Sequence, residues 1–148
     1  MKVLLAYDGS LQAKKMLQTC VQEDKESGNR LIVLNVFNSG LFVDYDAIPG
    51  AEEMARRESA KSIEEARLII LEAGARVYAR IVEEEGVLEE EIIRYAETEG
   101  IDLLLCPKRY NTVLGQLKKK APVRNEGPLS ALFTRQAGIT GMQVQRYL

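Results

Sequence analysis

The spacing of apolar positions changes along this chain, and the changes divide it into elements. Residues 2–7 form a short apolar run that ends in Asp8-Gly9-Ser10. A short apolar run bounded by turn residues reads as a strand buried on both faces, the situation of a parallel sheet. Beyond it the period lengthens: Ala13, Met16, Leu17, Cys20 and Val21 recur at one-face helical spacing. Ser10 or Asp8 offers an acceptor to the first turn of that helix, and Gly28 stands where the helix ends. Residues 31–37 form a second apolar run, followed by a loop-like stretch over 38–48. Pro49 suits the first turn of a second helix. Strong helix formers continue to Glu72, with Ile63, Ala66, Ile70 and Ala73 as the apolar stripe and Gly74 as the stop.

Residues 76–82 alternate in polarity and predict a third strand near a sheet edge. Glu83-Glu84-Glu85 with Gly86 reads as a turn. Leu88, Ile92 and Ala96 mark a third helix ended by Gly100, and residues 101–106, nearly all apolar, predict a central fourth strand. Residues 107–126 are rich in Lys, Arg and Pro and show no period. Leu129, Leu132, Phe133 and Gln136 suggest a short fourth helix. Met142 and Val144, alternating with Gln143, Gln145 and Tyr147, suggest a terminal strand. Strands that alternate with helices predict an α/β fold: a doubly wound parallel five-stranded sheet with right-handed crossovers. The 148 residues suit one domain, 1–148, large enough to bury a core without staples.

Composition removes several kinds of chemistry. The chain has no histidine. That rules out a Ser-His-Asp or Cys-His mechanism and any His-ligated metal site. Its net charge of −2 gives no global pull toward nucleic acid or lipid, and no stretch reaches the length of a membrane span. Cys20 and Cys106 lie far apart in sequence, which is no disulfide framework and fits a reducing, cytoplasmic setting. Cys106 reads as a buried small apolar residue. Lys118-Lys119-Lys120 reads as a solvated loop, because the chain lacks the aromatic interleaving of single-strand binders. The runs Glu83-Glu84-Glu85 and Glu89-Glu90-Glu91 have the oxygens a divalent cation wants. The second run opens a helix, where acidic residues favour the dipole in any case, and the surface reading is preferred.

The opening Val3-Leu4-Leu5-Ala6-Tyr7-Asp8-Gly9-Ser10, the segment Leu34-Asn35-Val36, and Gly100-Ile101-Asp102-Leu103-Leu104-Leu105 together resemble the universal stress protein family over essentially the whole chain. The resemblance implies a three-layer α/β/α sheet of order 3-2-1-4-5, of the adenine nucleotide alpha hydrolase-like kind, and a homodimer formed through the C-terminal strand. It also implies an ATP site, with Mg, at the gap between strands one and four. At such a switch point the crossovers depart in opposite directions, so a crevice opens at the carboxyl ends. The matching positions are Ala6, Asp8, Val36, Arg109, Gly127, Leu129 and Ser130. Asp8 would contact nucleotide or its metal, or cap the first helix. Ala6 and Val36 would line the pocket, or merely pack.

ATP-binding members of the family carry G-x-x-G, about nine residues, and then G-S or G-T, a spacing similar to other phosphate cradles. Here the matching glycines become Pro107 and Tyr110, Gly127 survives, and the hydroxyl residue becomes Pro128. Proline has no N–H to donate, and tyrosine adds bulk where bare backbone would approach phosphate. Lys108, Arg109, Lys118, Lys119, Lys120 and Arg124 offer compensating charge. The sequence therefore points to a regulatory stress-response protein without turnover of its own, weak or lacking in ATP binding, that works through an unidentified protein partner or ligand. The alternative is an ATP-binding switch with slow hydrolysis at the same crevice. An electron-transfer or nucleotide-transferase relative is disfavoured, since no second domain completes a larger site.

Overall fold

The computed structural model describes residues 1–42, 49–75, 78–106, 124–125 and 143–146. The elements are β1 (Lys2–Ala6), α1 (Leu11–Ser27), β2 (Arg30–Phe37), a 3-10 turn (Ser39–Phe42), α2 (Ala51–Glu72), β3 (Ala79–Glu85), α3 (Leu88–Thr98), β4 (Leu103–Cys106), β5 (Arg124–Asn125) and β6 (Gln143–Arg146). All paired strands run parallel, in the order β3-β2-β1-β4-β6-β5. The expected order 3-2-1-4-5 is present, with the C-terminal strand beside β4. A sixth strand of two residues, Arg124–Asn125, joins the edge next to β6. Two residues are too few to leave a period in a sequence.

β1 carries both layers of the core. Val3 and Leu5 face one side with Ala13, Leu17 and Cys20 of α1 and Ala66 and Ile70 of α2. Leu4 and Ala6 face the other with Ile92, Ile93 and Ala96 of α3. Among the described residues, two helices cover one face and one covers the other, which gives the three layers. Leu4, Leu5, Leu17, Leu34 and Leu104 are fully buried, and each contributes on the order of 2 kcal/mol by leaving water. Both cysteines are buried thiols outside any disulfide. Among the described residues, no helix is long and apolar enough to cross a membrane.

Several boundaries differ from the sequence reading: the third strand runs over Ala79–Glu85 rather than 76–82, and the fourth over Leu103–Cys106 rather than 101–106. Glu83-Glu84-Glu85 is not a turn: it is the second half of β3, paired with Asn35, Val36 and Phe37. The strand lies at the sheet edge, as expected, and two of its carboxylates meet cations there. Glu84 accepts from Tyr95 Oη at 2.9 Å and pairs with Arg94, while Glu85 pairs with Arg56. The second helix begins at Ala51 rather than Pro49. Gly50, its N-cap, sits in the left-handed region at φ 83, so the helical backbone starts only after it. The fourth-helix reading at Leu129, Leu132, Phe133 and Gln136 falls outside the described residues.

Candidate functional site

At the carboxyl ends of β1 and β2, facing the start of α3, lies a cavity of about 810 Å³. Its walls include Asp8, Ser10, Val36, Phe37, Ser59 and Leu88. An open parallel sheet places its crevice at this end of the strands.

The turn after β1 is built by short-range bonds. Ser10 is the N-cap of α1: its Oγ accepts from Ala13 N–H at 3.1 Å. Asp8 Oδ1 accepts from Ser10 N–H at 3.0 Å, which bends the chain into the helix. Between them Gly9 sits at φ 77 and presses against α2. A Cβ added there would lie 2.7 Å from Ser62 Cβ and closer still to Ser62 Oγ. Glycine therefore serves both the left-handed conformation and the close approach of α2.

The floor is pinned by Asn35, which is buried within the apolar run 31–37 of β2. Its Nδ2 donates to the Tyr7 carbonyl at 3.1 Å, and its Oδ1 accepts from Ser59 Oγ at 3.0 Å. One amide thus ties β2 to the end of β1 and to α2. Tyr7 N–H donates to the Leu34 carbonyl at 2.9 Å. The Tyr7 ring is buried, and its hydroxyl has no hydrogen-bond partner among the described residues. Burial first, then the nearby Glu65 and Asp8 carboxylates, push its pKa up to about 12. At the rim Phe37 stacks on Phe42 with centroids 5.9 Å apart. The Arg56 guanidinium lies 4.4 Å from the Phe37 ring centroid and bonds to Glu85 at 2.5 Å and Glu52 at 3.1 Å.

Among the described residues, charge in this cavity has one sign. Asp8, Glu58 and Glu89 are the charged side chains lining it among the described residues. Among the described residues, neither acidic run gathers with other ligands into a group of metal-holding size.

Of the residues singled out by sequence, Asp8 and Val36 line the cavity together. Ala6, at the end of β1, is buried in the α3-side core beneath them. Arg109, Gly127, Leu129 and Ser130 lie outside the described residues, as do Pro107, Tyr110, Pro128 and the lysine run at 118–120. Sequence reasoning missed the structural parts of the site: Asn35, Ser59 and the contact of Gly9 with Ser62. A lone polar side chain inside the apolar run 31–37 was the available signal for Asn35.

The family model for universal stress proteins matches residues 1–118. The chain belongs to the universal stress protein family. Among solved structures, a universal stress protein family member from Burkholderia pseudomallei superposes with a TM-score of 0.58 at 23% identity, covering 80% of this chain and 88% of its own. Hypothetical protein MJ0577, the subject of a structure-based assignment of biochemical function, superposes with a TM-score of 0.56 at 18% identity, covering 98% of this chain and 95% of its own. A universal stress protein in complex with cAMP gives a TM-score of 0.51 at 18% identity over 70% of this chain and 73% of its own. At these identities the superpositions show the shared fold. Curated proteins yield no match. The sequence resemblance and the three-layer sheet thus agree with both comparisons.

Proposed function

We propose that this universal stress protein family member is a regulatory, non-catalytic binder. Its crevice takes an adenosine-type ligand of low negative charge in preference to ATP. One observation carries the reading: Asp8, Glu58 and Glu89 line the cavity and no lysine or arginine does among the described residues. A triphosphate brings several negative charges that such walls repel. A cyclic monophosphate brings one, and a related universal stress protein holds cAMP. The sequence supports the same ordering, since Pro107, Tyr110 and Pro128 replace the small and hydroxyl residues of the family's phosphate loop.

The output is then binding, either of an unidentified protein partner in the cytoplasm or of a second copy through the C-terminal strand. Sedimentation at several concentrations tests the homodimer; a persistent monomer overturns it. For the ligand, purified protein is denatured and the supernatant examined for adenine nucleotide, then fresh protein is titrated with adenosine, cAMP and ATP with magnesium. The expected result is no stoichiometric ATP, and weaker binding of ATP than of cAMP. Stoichiometric ATP, or saturation by it at micromolar concentration, overturns the ordering. It would favour an ATP switch whose basic segment, Lys108 to Arg124, closes on phosphate.

A further inference from the structure

The opposite end of the sheet carries the opposite charge. The register places Lys2 of β1 directly beside Arg30 of β2, and Arg80 of β3 beside Ile32, two residues further along β2. Strand side chains alternate between faces. Lys2 shares its face with Leu4, Arg30 with Ile32 and Arg80 with Val82, and all three of those partners pack on the α3 side. Three cations thus lie on one face at the amino ends of three adjacent strands. Together they line a pocket of about 220 Å³ with Tyr78, Ala79 and the adjoining β2 residues Leu31 and Ile32.

The counter-charge there is incomplete. Glu99, just after α3, reaches Lys2 at 3.5 Å and Arg80 at 3.7 Å. Lys2 Nζ also donates to the Glu99 carbonyl at 3.0 Å. Asp102 is nearby, but its Oδ2 accepts from the Lys2 backbone N–H at 2.9 Å, and so it serves the strand end. Arg30 has no ion-pair partner among the described residues. Like charges directly opposite one another on a sheet destabilise it, so Lys2 beside Arg30 is an unfavourable arrangement that an anion would relieve. Arginine also presents a planar fork of donors that suits a tetrahedral oxyanion.

We propose that this amino-end pocket is an anion site for a phosphate-class dianion, with Arg30 and Arg80 as its donors and Lys2 as supporting charge. It is separate from the crevice at the carboxyl ends, where the charged lining among the described residues is acidic. Its ligand is an inorganic phosphate or the terminal phosphate of a small metabolite.

The full chain, labelled with ¹⁵N, is titrated with inorganic phosphate and, at matched ionic strength, with chloride. In a parallel arm it is titrated with glycerol phosphate, which separates a free phosphate from a phosphomonoester. Saturable amide shifts at residues 2, 30–32 and 78–80 with phosphate but not chloride are expected. Arg30→Gln should weaken the response about tenfold, the usual size of a lost charge-assisted hydrogen bond. Asp8→Ala, in the other cavity, should leave it unchanged. Phosphate should also raise the Tm of the wild type and not of Arg30→Gln, since a ligand of the folded state stabilises it. Arg30 is exposed at the start of its strand, so folding of the variant is expected and checked by circular dichroism. Equal shifts with chloride, shifts centred on the carboxyl-end cavity or on residues 108–126, or an unaltered response in Arg30→Gln would each overturn the site.

Discussion

At the carboxyl ends of β1 and β2, position is fixed by steric fit and buried hydrogen bonds: Gly9 against Ser62, and Asn35 between the Tyr7 carbonyl and Ser59. At the amino ends of the same strands, Lys2, Arg30 and Arg80 are held by a register and one carboxylate. Buried bonds and close packing are insensitive to salt, whereas exposed ion pairs are screened within about 10 Å at ordinary ionic strength. The two ends should therefore respond differently to mutation and to salt. The carboxyl end should give large, salt-independent losses, and the amino end small losses that salt removes.

The largest effect is expected for Gly9→Ala. The added methyl meets Ser62 Cβ at 2.7 Å and forces alanine to hold φ 77. Strain and overpacking together should cost about 3 kcal/mol in urea unfolding. Gly9→Ala combined with Ser62→Gly should recover the packing share and keep the backbone share. A loss below 0.5 kcal/mol, on the scale of a neutral surface change, would mean that α2 does not bear on this turn as described.

Next comes pH. The Tyr7 hydroxyl titrates near 10 when unfolded and at about 12 in the fold. Between those values the unfolded chain releases a proton that the native chain keeps, so stability falls as pH rises. The contribution is whole below pH 10 and is lost progressively on the way to pH 12, about 2–3 kcal/mol at the limit. Tyr7→Phe removes this slope. Its unfolding free energy should match the wild type at neutral pH or exceed it slightly, because the deleted hydroxyl has no partner among the described residues. Identical alkaline slopes in the two proteins would show that another group carries the loss.

Asn35→Ala follows at about 2 kcal/mol, the usual cost of leaving buried partners unmatched. It frees the Tyr7 carbonyl and the Ser59 hydroxyl together. Asn35→Ala and Ser59→Ala should then be less than additive in a double-mutant cycle. Full additivity would separate Ser59 from the floor of the cavity.

The difference between the two ends also marks what the sequence could disclose. β1, β2 and β4 are legible as apolar runs because both of their faces are buried. The helices are legible because one stripe of each, such as Ile63, Ala66 and Ile70, meets the core. The far half of β3 was not legible. Three successive carboxylates look like a turn until Arg56 and Arg94, from other elements, are brought to Glu85 and Glu84. In the crevice, Asp8 and Val36 could be named through the family resemblance, and the geometry brings them into one cavity. Gly9 against Ser62 could not, because it depends on where α2 crosses the turn. Lys2 beside Arg30 was hidden for the same reason: pairing across strands is a property of register, which local periodicity does not state.

The smallest expected effect belongs to Glu99, and it tests the amino end most directly. Glu99→Gln leaves the backbone carbonyl that holds Lys2 Nζ in place and removes only the carboxylate between Lys2 and Arg80. Both cations are substantially exposed, at 40% and 58%, so the loss should be at most about 1 kcal/mol at low salt and should vanish in high salt. The same substitution raises the positive charge of the pocket, so phosphate should bind the variant more tightly than the wild type while stability in its absence falls. Those opposite signs cannot come from a damaged strand end, which would lower both. If Glu99→Gln weakens phosphate binding, the carboxylate is orienting the cations rather than competing with the anion. The amino end would then be a pre-organised site fixed by its bonds, much as the crevice is, and the contrast between the two ends would narrow to the sign of their charge.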